Sequence, residues 1–393
     1  MLISTNWLSD FVDLKGVNLK ELINRFTLST AEVEEIYEYG KNIENVVAAK
    51  IVSVKNHENS KKLHILQVDD GEKTVQVICG APNVREGMIV AFARAGGMVC
   101  GQKIEVCKVA GVESFGMCCS EKELGISDEH SGIMDLPADT VLGTSIKELF
   151  PIDDVVFEVD NKSLTNRPDL WGHYGIAREV SALIDRPLKP IELFDTSVAD
   201  NLTKVDICVE DKEKCFRYSG ITIKNITQKS APMEMKIRLF YCGMRSLNLL
   251  ADLTNYLMLE LGQPMHAFDN NIVSKISVRS VSSKFTFKTL DDVEREIPEN
   301  TLMICQGENP VAIAGIMGGN NSSISDDTTS VLLESANFDG VCVRKTATKI
   351  GLRTEASARY EKALDPELTM VALKRFVKLL KDIDDGAEIT SSV

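Results

Sequence analysis

Five short segments between Val46 and Gly111, VVAAKIVSV, HILQVDD, TVQVICGA, MIVAFARA and KIEVCKVAG, are rich in Val and Ile and are parted by turn signals at Asp70-Gly71, Pro82-Asn83, Gly96-Gly97 and Gly101. Runs of that length read as strands, and links that tight leave each strand little choice but to pair with its neighbours. Five such strands in succession predict a small barrel, and among small barrels the five-stranded OB fold suits the length. A barrel with a purely structural role fits the same pattern. Charge bears on the choice, because the chain carries a net −14 while Val46–Glu113 holds nine Lys and Arg against seven Asp and Glu. Such a local excess suits a face for a nucleic-acid backbone, and it suits an ordinary mixed surface equally. Phe92 and Phe115 are the only aromatics from Val46 to Cys119, so base stacking would be weak and backbone contacts would have to dominate.

At 393 residues the chain is too long for one ordinary domain, and two to four are expected. No apolar run approaches the length of a membrane span, and MLISTNWLSDFVDL lacks the basic-then-apolar order of a signal peptide, so a cytoplasmic protein without membrane contact is expected. The overall acidity argues against a uniformly basic nucleic-acid binder. Ten cysteines are scattered, with no CxxC pair and with Cys118 and Cys119 adjacent. That arrangement suits neither a zinc site nor an ordinary disulfide, and they read as small buried thiols.

Residues 1–40 contain a helix with Leu19, Leu22, Ile23 and Phe26 at helical spacing, but forty residues rarely bury a sufficient core alone and must pack on something later. Within TNRPDLWGHYGIAREVSALI, Arg167 and Asp169 flank Pro168 ahead of a helix. Their pairing to lock the turn is the simpler reading; a guanidinium held for a phosphate or a carboxylate is the other. Arg186–Pro190 reads as a linker. Beyond it, KVDICVE, YSGITIKNI, KISVRSVS, TLMICQG, VAIAGIMG and SVLLESANF are strand-like, and a helix follows Pro366.

ADLTNYLMLELGQPMHAFD, from Ala251 to Asp269, opens as a helix whose apolar stripe includes Leu250, Leu253, Leu257 and Leu261. Thr254 and Asn255 ride on it, Gly262 and Pro264 end it, and His266 follows in what reads as a short loop. One segment thereby offers polar groups from a rigid helix and an adjoining loop to a common space, although such residues more often bond backbone or water. VAIAGIMGG reads as a strand breaking into small residues, where a backbone can approach a ligand closely. Glu334, inside an apolar strand, needs either a partner or a task.

In order, VICGAPNVREG, GVESFGMCCSEKELGIS, TNRPDLWGHYGIAREVSAL, LTNYLMLELGQPMHAFD, AIAGIMGG, LLESANFD and RTEASARYEKALDP resemble the front half of the bacterial phenylalanyl-tRNA synthetase beta subunit. The resemblance covers essentially the whole chain. It implies an α+β multidomain architecture: an OB-fold β-barrel at about 40–150, inserted into a small α/β N-terminal domain made of 1–39 and 151–195, followed by a mixed α/β editing domain of the B3/B4 type at 200–390. It implies hydrolysis of tyrosine wrongly esterified to tRNA(Phe), in a pocket that includes Thr254, Asn255, His266, Ala314, Gly315, Gly318, Glu334, Thr354 and Ala356. Asn255, Thr254 and His266 would position water or the terminal ribose, and Glu334 would recognise the tyrosine hydroxyl. Lys55, Lys61, Lys62 and Arg94 are the candidate tRNA contacts. ATP, Mg2+ and aminoacylation would belong to an alpha subunit in an alpha2beta2 enzyme, leaving no metal or cofactor here and no DNA partner. Two departures stand out: Ser163-Leu164-Thr165-Asn166 replaces the commoner Thr-Pro-Asn version, and Lys362-Ala363 a more usual Arg-Gly pair. A free-standing trans-editing hydrolase and a non-catalytic tRNA-binding module are the competing readings.

Overall fold

The computed structural model describes Met1 to Val393 as a mixed α+β protein built on several sheets. The first is three-stranded and antiparallel, with Asp154–Val159 between Leu2–Ser4 and Val33–Tyr39. Its central strand arrives only after a second, larger sheet has been completed. The first forty residues, too few for a core of their own, thus acquire one from later chain. Trp7 is fully buried with its ring 4.1 Å from both the His173 and Tyr256 rings. The Arg238 guanidinium forks onto the Asp10 carboxylate at 2.6 and 3.1 Å.

The second sheet contains Glu44–Asn56, His64–Asp69, Thr74–Cys79 and Ile89–Val99, with Gly116–Cys118 at one edge. Alternate residues of VVAA and IVAFA enter two different cores. Val47, Ala49, Val90 and Phe92 face one cluster, while Val46, Ala48, Ala91 and Ala93 face another that reaches Ile237 and Tyr241. Burial on both faces explains why these strands are continuously apolar. The expected closed barrel is not formed by a continuous ladder. Its edges approach through Phe115 N–H to Gln76 O at 2.9 Å, Ile78 N–H to Ser114 Oγ at 3.1 Å and Gln76 Nε2 to Glu113 O at 2.8 Å. KIEVCKVAG is not a single strand either. Gln102–Lys103 pairs with Ile89–Val99, and Cys107–Val109 folds back on Val112–Ser114 through Ala110 and Gly111, both at positive φ.

The remaining chain forms a five-stranded sheet in the order Asp206–Val209, Lys275–Ser280, Leu302–Gln306, Asn309–Ile313, Met317–Gly318, and a four-stranded sheet in the order Met265–Asp269, Val331–Phe338, Cys215–Lys224, Glu388–Ile389. VAIAGIMG is split by a turn in which Gly315 takes φ +69. The helix Leu249–Leu261 starts at Asn248, whose side chain accepts from Ala251 N–H at 3.0 Å, and stops at Gly262 with φ +80. Leu368–Ile383 forms the helix after Pro366. Arg167 and Asp169 do pair, with both contacts at 2.9 Å, and Glu179 and Arg178 extend the network. No helix is long and apolar enough to cross a membrane. The cysteines are all free, but Cys100, Cys107 and Cys208 are exposed, contrary to the expectation of buried thiols.

Candidate functional site

Val331–Phe338 is buried along its whole length and runs between two partners. In register, Glu334 stands opposite His266 on one side and Gly220 on the other. Directly opposed residues of an antiparallel pair share a face of the sheet. Two residues 68 apart in sequence therefore meet because His266 lies in the strand Met265–Asp269, where a loop was expected. The chain reaches that strand through Gln263, whose side-chain amide donates to Ala336 O at 2.9 Å and Pro264 O at 3.0 Å. A strand so anchored leaves His266 little freedom along its length.

His266 and Glu334 line a cavity of about 60 Å³ together with Pro264, Gly315, Gly318, Ala356 and Tyr360. A volume of that order holds a few waters and is smaller than a phenol ring, so an aromatic occupant requires side chains such as Met317, which also lines it, to move. No Lys or Arg lines the space. Glu334 is 4% exposed, and burial pushes its carboxyl up to about 7 although the Tyr218 hydroxyl, donating to Oε2 at 2.6 Å, works the other way. Burial also lowers His266 to about 4, so the imidazole is neutral at physiological pH, and its Nε2 is sealed without a hydrogen-bond partner. Gly318 presses against this ring: a Cβ there would lie 2.6 Å from Cε1 and 2.9 Å from Nε2 of His266. Gly315 is confined by Val343, Phe338 and Tyr360, all within 3.1 Å of where its Cβ would stand.

The other candidates are placed differently. Ala314 is buried beside the cavity without lining it, its N–H bonded to Leu302 O at 3.1 Å. Thr354 caps the helix Glu355–Tyr360, and its hydroxyl donates to Ile316 O at 2.9 Å, which ties that helix to the Gly315 turn. It borders a separate polar cleft with Lys162, Arg353 and Lys362. Thr254 donates to Ala251 O at 2.8 Å within its own helix, and neither it nor Asn255 lines the cavity. Lys55, Lys61 and Lys62 are exposed, free of ion pairs and clustered at the hairpin joining Glu44–Asn56 to His64–Asp69. Arg94 is instead held by Asp70 at 2.8 Å and Glu72 at 3.2 Å, as a tether within the sheet. No group of three or more His, Cys, Asp or Glu is placed to hold a metal ion. Tyr218, Tyr360 and Gln263 went unnoticed in the sequence; nothing there links Tyr218 to a carboxylate 116 residues further on.

Two family models match successive parts of the chain. The family model described as "B3/4 domain" matches residues 214–385, and that described as "Putative tRNA binding domain" matches residues 46–145. A phenylalanine–tRNA ligase beta subunit from Syntrophus aciditrophicus is 38% identical over 390 residues, covering 98% of this chain and 48% of that protein. One from Clostridium acetobutylicum is 41% identical over 400 residues, covering 100% and 50%. The chain thus spans about half the length of the curated relatives it matches. A solved N-terminal fragment of the Pyrococcus horikoshii phenylalanyl-tRNA synthetase beta subunit overlaps at a TM-score of 0.31 with 17% identity, over 60% of this chain and 63% of that one, too little to argue from. With both domain matches in order and two-fifths identity sustained from end to end, the chain belongs to the phenylalanine–tRNA ligase beta-subunit family.

Proposed function

We propose that this chain serves a phenylalanine–tRNA ligase by binding tRNA(Phe) and hydrolysing tyrosine wrongly esterified to it. The observation that carries the reading is the His266–Glu334 register at an apolar cavity free of cations, with the His266 Nε2 unpartnered. The need is physical. Tyrosine exceeds phenylalanine by one hydroxyl, and an apolar pocket rejects an added hydroxyl only about 100-fold, whereas a site that hydrogen-bonds the hydroxyl rejects the analogue lacking it by about 10⁴ to 10⁵. Glu334 supplies such a site. Phenylalanine would leave its oxygen without a partner in a buried place.

For the chemistry, neutral His266, its Nε2 uncovered by the same movement of side chains that admits the substrate, accepts a hydrogen bond from water there and aims it at the ester carbonyl. The water oxygen bonds to the carbonyl carbon, the bond from that carbon to the ribose oxygen breaks, and the ribose oxygen takes up the proton, releasing tyrosine and tRNA. A pKa near 4 makes His266 a weak base at neutral pH, so it positions water more than it removes a proton. Residues 40–150 act as an OB-type tRNA module inserted between 1–39 and 151–195, with Lys55, Lys61 and Lys62 meeting phosphates, and 200–390 as the editing domain. ATP and Mg2+ serve aminoacylation with the alpha subunit of a cytoplasmic alpha2beta2 assembly. The test is deacylation of tyrosyl-tRNA(Phe) and phenylalanyl-tRNA(Phe) by wild type and Glu334→Ala. Faster loss of the tyrosyl ester is expected, with the preference abolished in the variant. Equal rates for both esters in the wild type would refute the reading.

A further inference from the structure

We propose that Tyr218 is a positioning residue for Glu334: its phenol occupies one carboxylate oxygen and so leaves the other, turned to the cavity, as the single acceptor for the hydroxyl of an incoming aromatic group. The inference rests on the function proposed above. Its ground is the hydrogen bond from Tyr218 to Glu334 Oε2 at 2.6 Å, the only side-chain hydrogen bond that the carboxylate makes. The last torsion of a glutamate side chain is broad and nearly two-fold, so its rotamer alone does not define an acceptor position. A second hydrogen-bonding group must do so, and the surroundings of Glu334 offer no other.

The titratable groups facing Glu334 are Tyr218 and Cys215 from one neighbouring strand, His266 from the other, and Tyr360 from the helix Glu355–Tyr360. Tyr360 is already committed, its hydroxyl donating to Pro264 O at 3.1 Å. The Cys215 thiol is directed to Arg217 O at 3.5 Å, and His266 makes no bond through Nε2. Gly220, directly opposite Glu334, contributes no side chain. Tyr218, two residues earlier on the same face, is left to reach the carboxylate diagonally. A tyrosyl substrate would complete the arrangement, giving the carboxylate one phenol on each oxygen; a phenylalanyl group would leave the cavity-facing oxygen bare.

The experiment measures binding of 3′-deoxy-3′-(tyrosylamino)adenosine and its phenylalanyl counterpart, stable amide mimics of the charged tRNA end, to wild type, Tyr218→Phe and Glu334→Gln by calorimetry. Tyr218→Phe is expected to weaken the tyrosyl probe about 10- to 150-fold, the effect of one hydrogen bond to a charged group, and to leave the phenylalanyl probe unchanged. The Glu334 carboxyl, followed by carbon NMR, should titrate at higher pH in Tyr218→Phe, because a donor that favours the ionised form has been removed. Equal weakening of both probes, or an unmoved titration, would reduce Tyr218 to packing and overturn the inference. Should Tyr218→Phe bind as wild type while Glu334→Gln loses the tyrosyl preference, the inference fails and the editing reading survives. A wild type without that preference sinks both.

Discussion

Glu334 and His266 stand opposite one another, and burial moves their titrations in opposite directions. The Glu334 carboxyl, raised from 4.5 to about 7, holds its proton more tightly in the folded state. The stability it contributes is complete below about 4.5 and is lost as pH rises through about 7. His266, lowered from 6.5 to about 4, does the reverse: its contribution is complete above about 6.5 and is lost as pH falls through about 4. Their slopes oppose one another between. Glu334→Gln removes the ionisation while keeping the shape. Its melting temperature relative to wild type should therefore climb as pH rises from about 5 to about 8, checked by thermal unfolding across that range. A difference that is flat with pH would mean that the carboxyl is not held as its surroundings imply.

Elements matter here chiefly through their ends. Asn248 begins the helix Leu249–Leu261 and Gly262 terminates it, and the terminated chain turns directly into the strand bearing His266. The helix Glu355–Tyr360 is begun by a Thr354 capping box whose hydroxyl also holds Ile316 beside Gly315. Thr354 thereby shapes the cavity wall without lining it. The turn after this helix carries Ala363 at φ +58, a left-handed conformation that costs an L-residue about 1–2 kcal/mol and glycine almost nothing. Ala363→Gly should raise stability by a few tenths to about 1 kcal/mol, the relieved strain less the added freedom of the unfolded chain. A higher denaturant midpoint at unchanged slope would show it; an unchanged or lower midpoint would mean that the strain is absorbed elsewhere.

Taken whole, the molecule does not keep its cores apart. The largest apolar cluster joins Ile3, Trp7 and Phe26 to Trp171 and Ile176, and both groups to Leu253, Leu257, Leu333 and Phe376. Another links the curled sheet to Ile237 and Tyr241. Arg375 and Glu260 add a forked ion pair across this interior, both contacts at 2.9 Å. Shared cores predict shared unfolding, so calorimetry should show one transition with matching calorimetric and van't Hoff enthalpies. Trp7→Ala should lower stability by about 3–5 kcal/mol and destabilise the region beyond residue 200 along with the first forty. Two separate transitions, with Trp7→Ala moving only one, would show the units to be independent.

Much of this was legible in advance, and the line between what was and was not follows range. Strand runs, the Leu250–Leu261 stripe, its glycine end and the Arg167–Asp169 turn depend on neighbours a few residues apart, so periodicity and backbone chemistry sufficed. Glu334 was conspicuous because a carboxylate in an apolar strand violates a local rule. Which residues would meet it was not written locally. His266 took a strand because Val331–Phe338 offered it an unpaired edge, and Tyr218 found the carboxylate through a pairing register set by the packing of the whole sheet. Thr254, a plausible ligand by type, spends its hydroxyl on a carbonyl one turn back, and Arg94, a plausible phosphate contact, is held by a buried aspartate. Residue type announces what a group can bond; only burial and register decide which bonds are left to make.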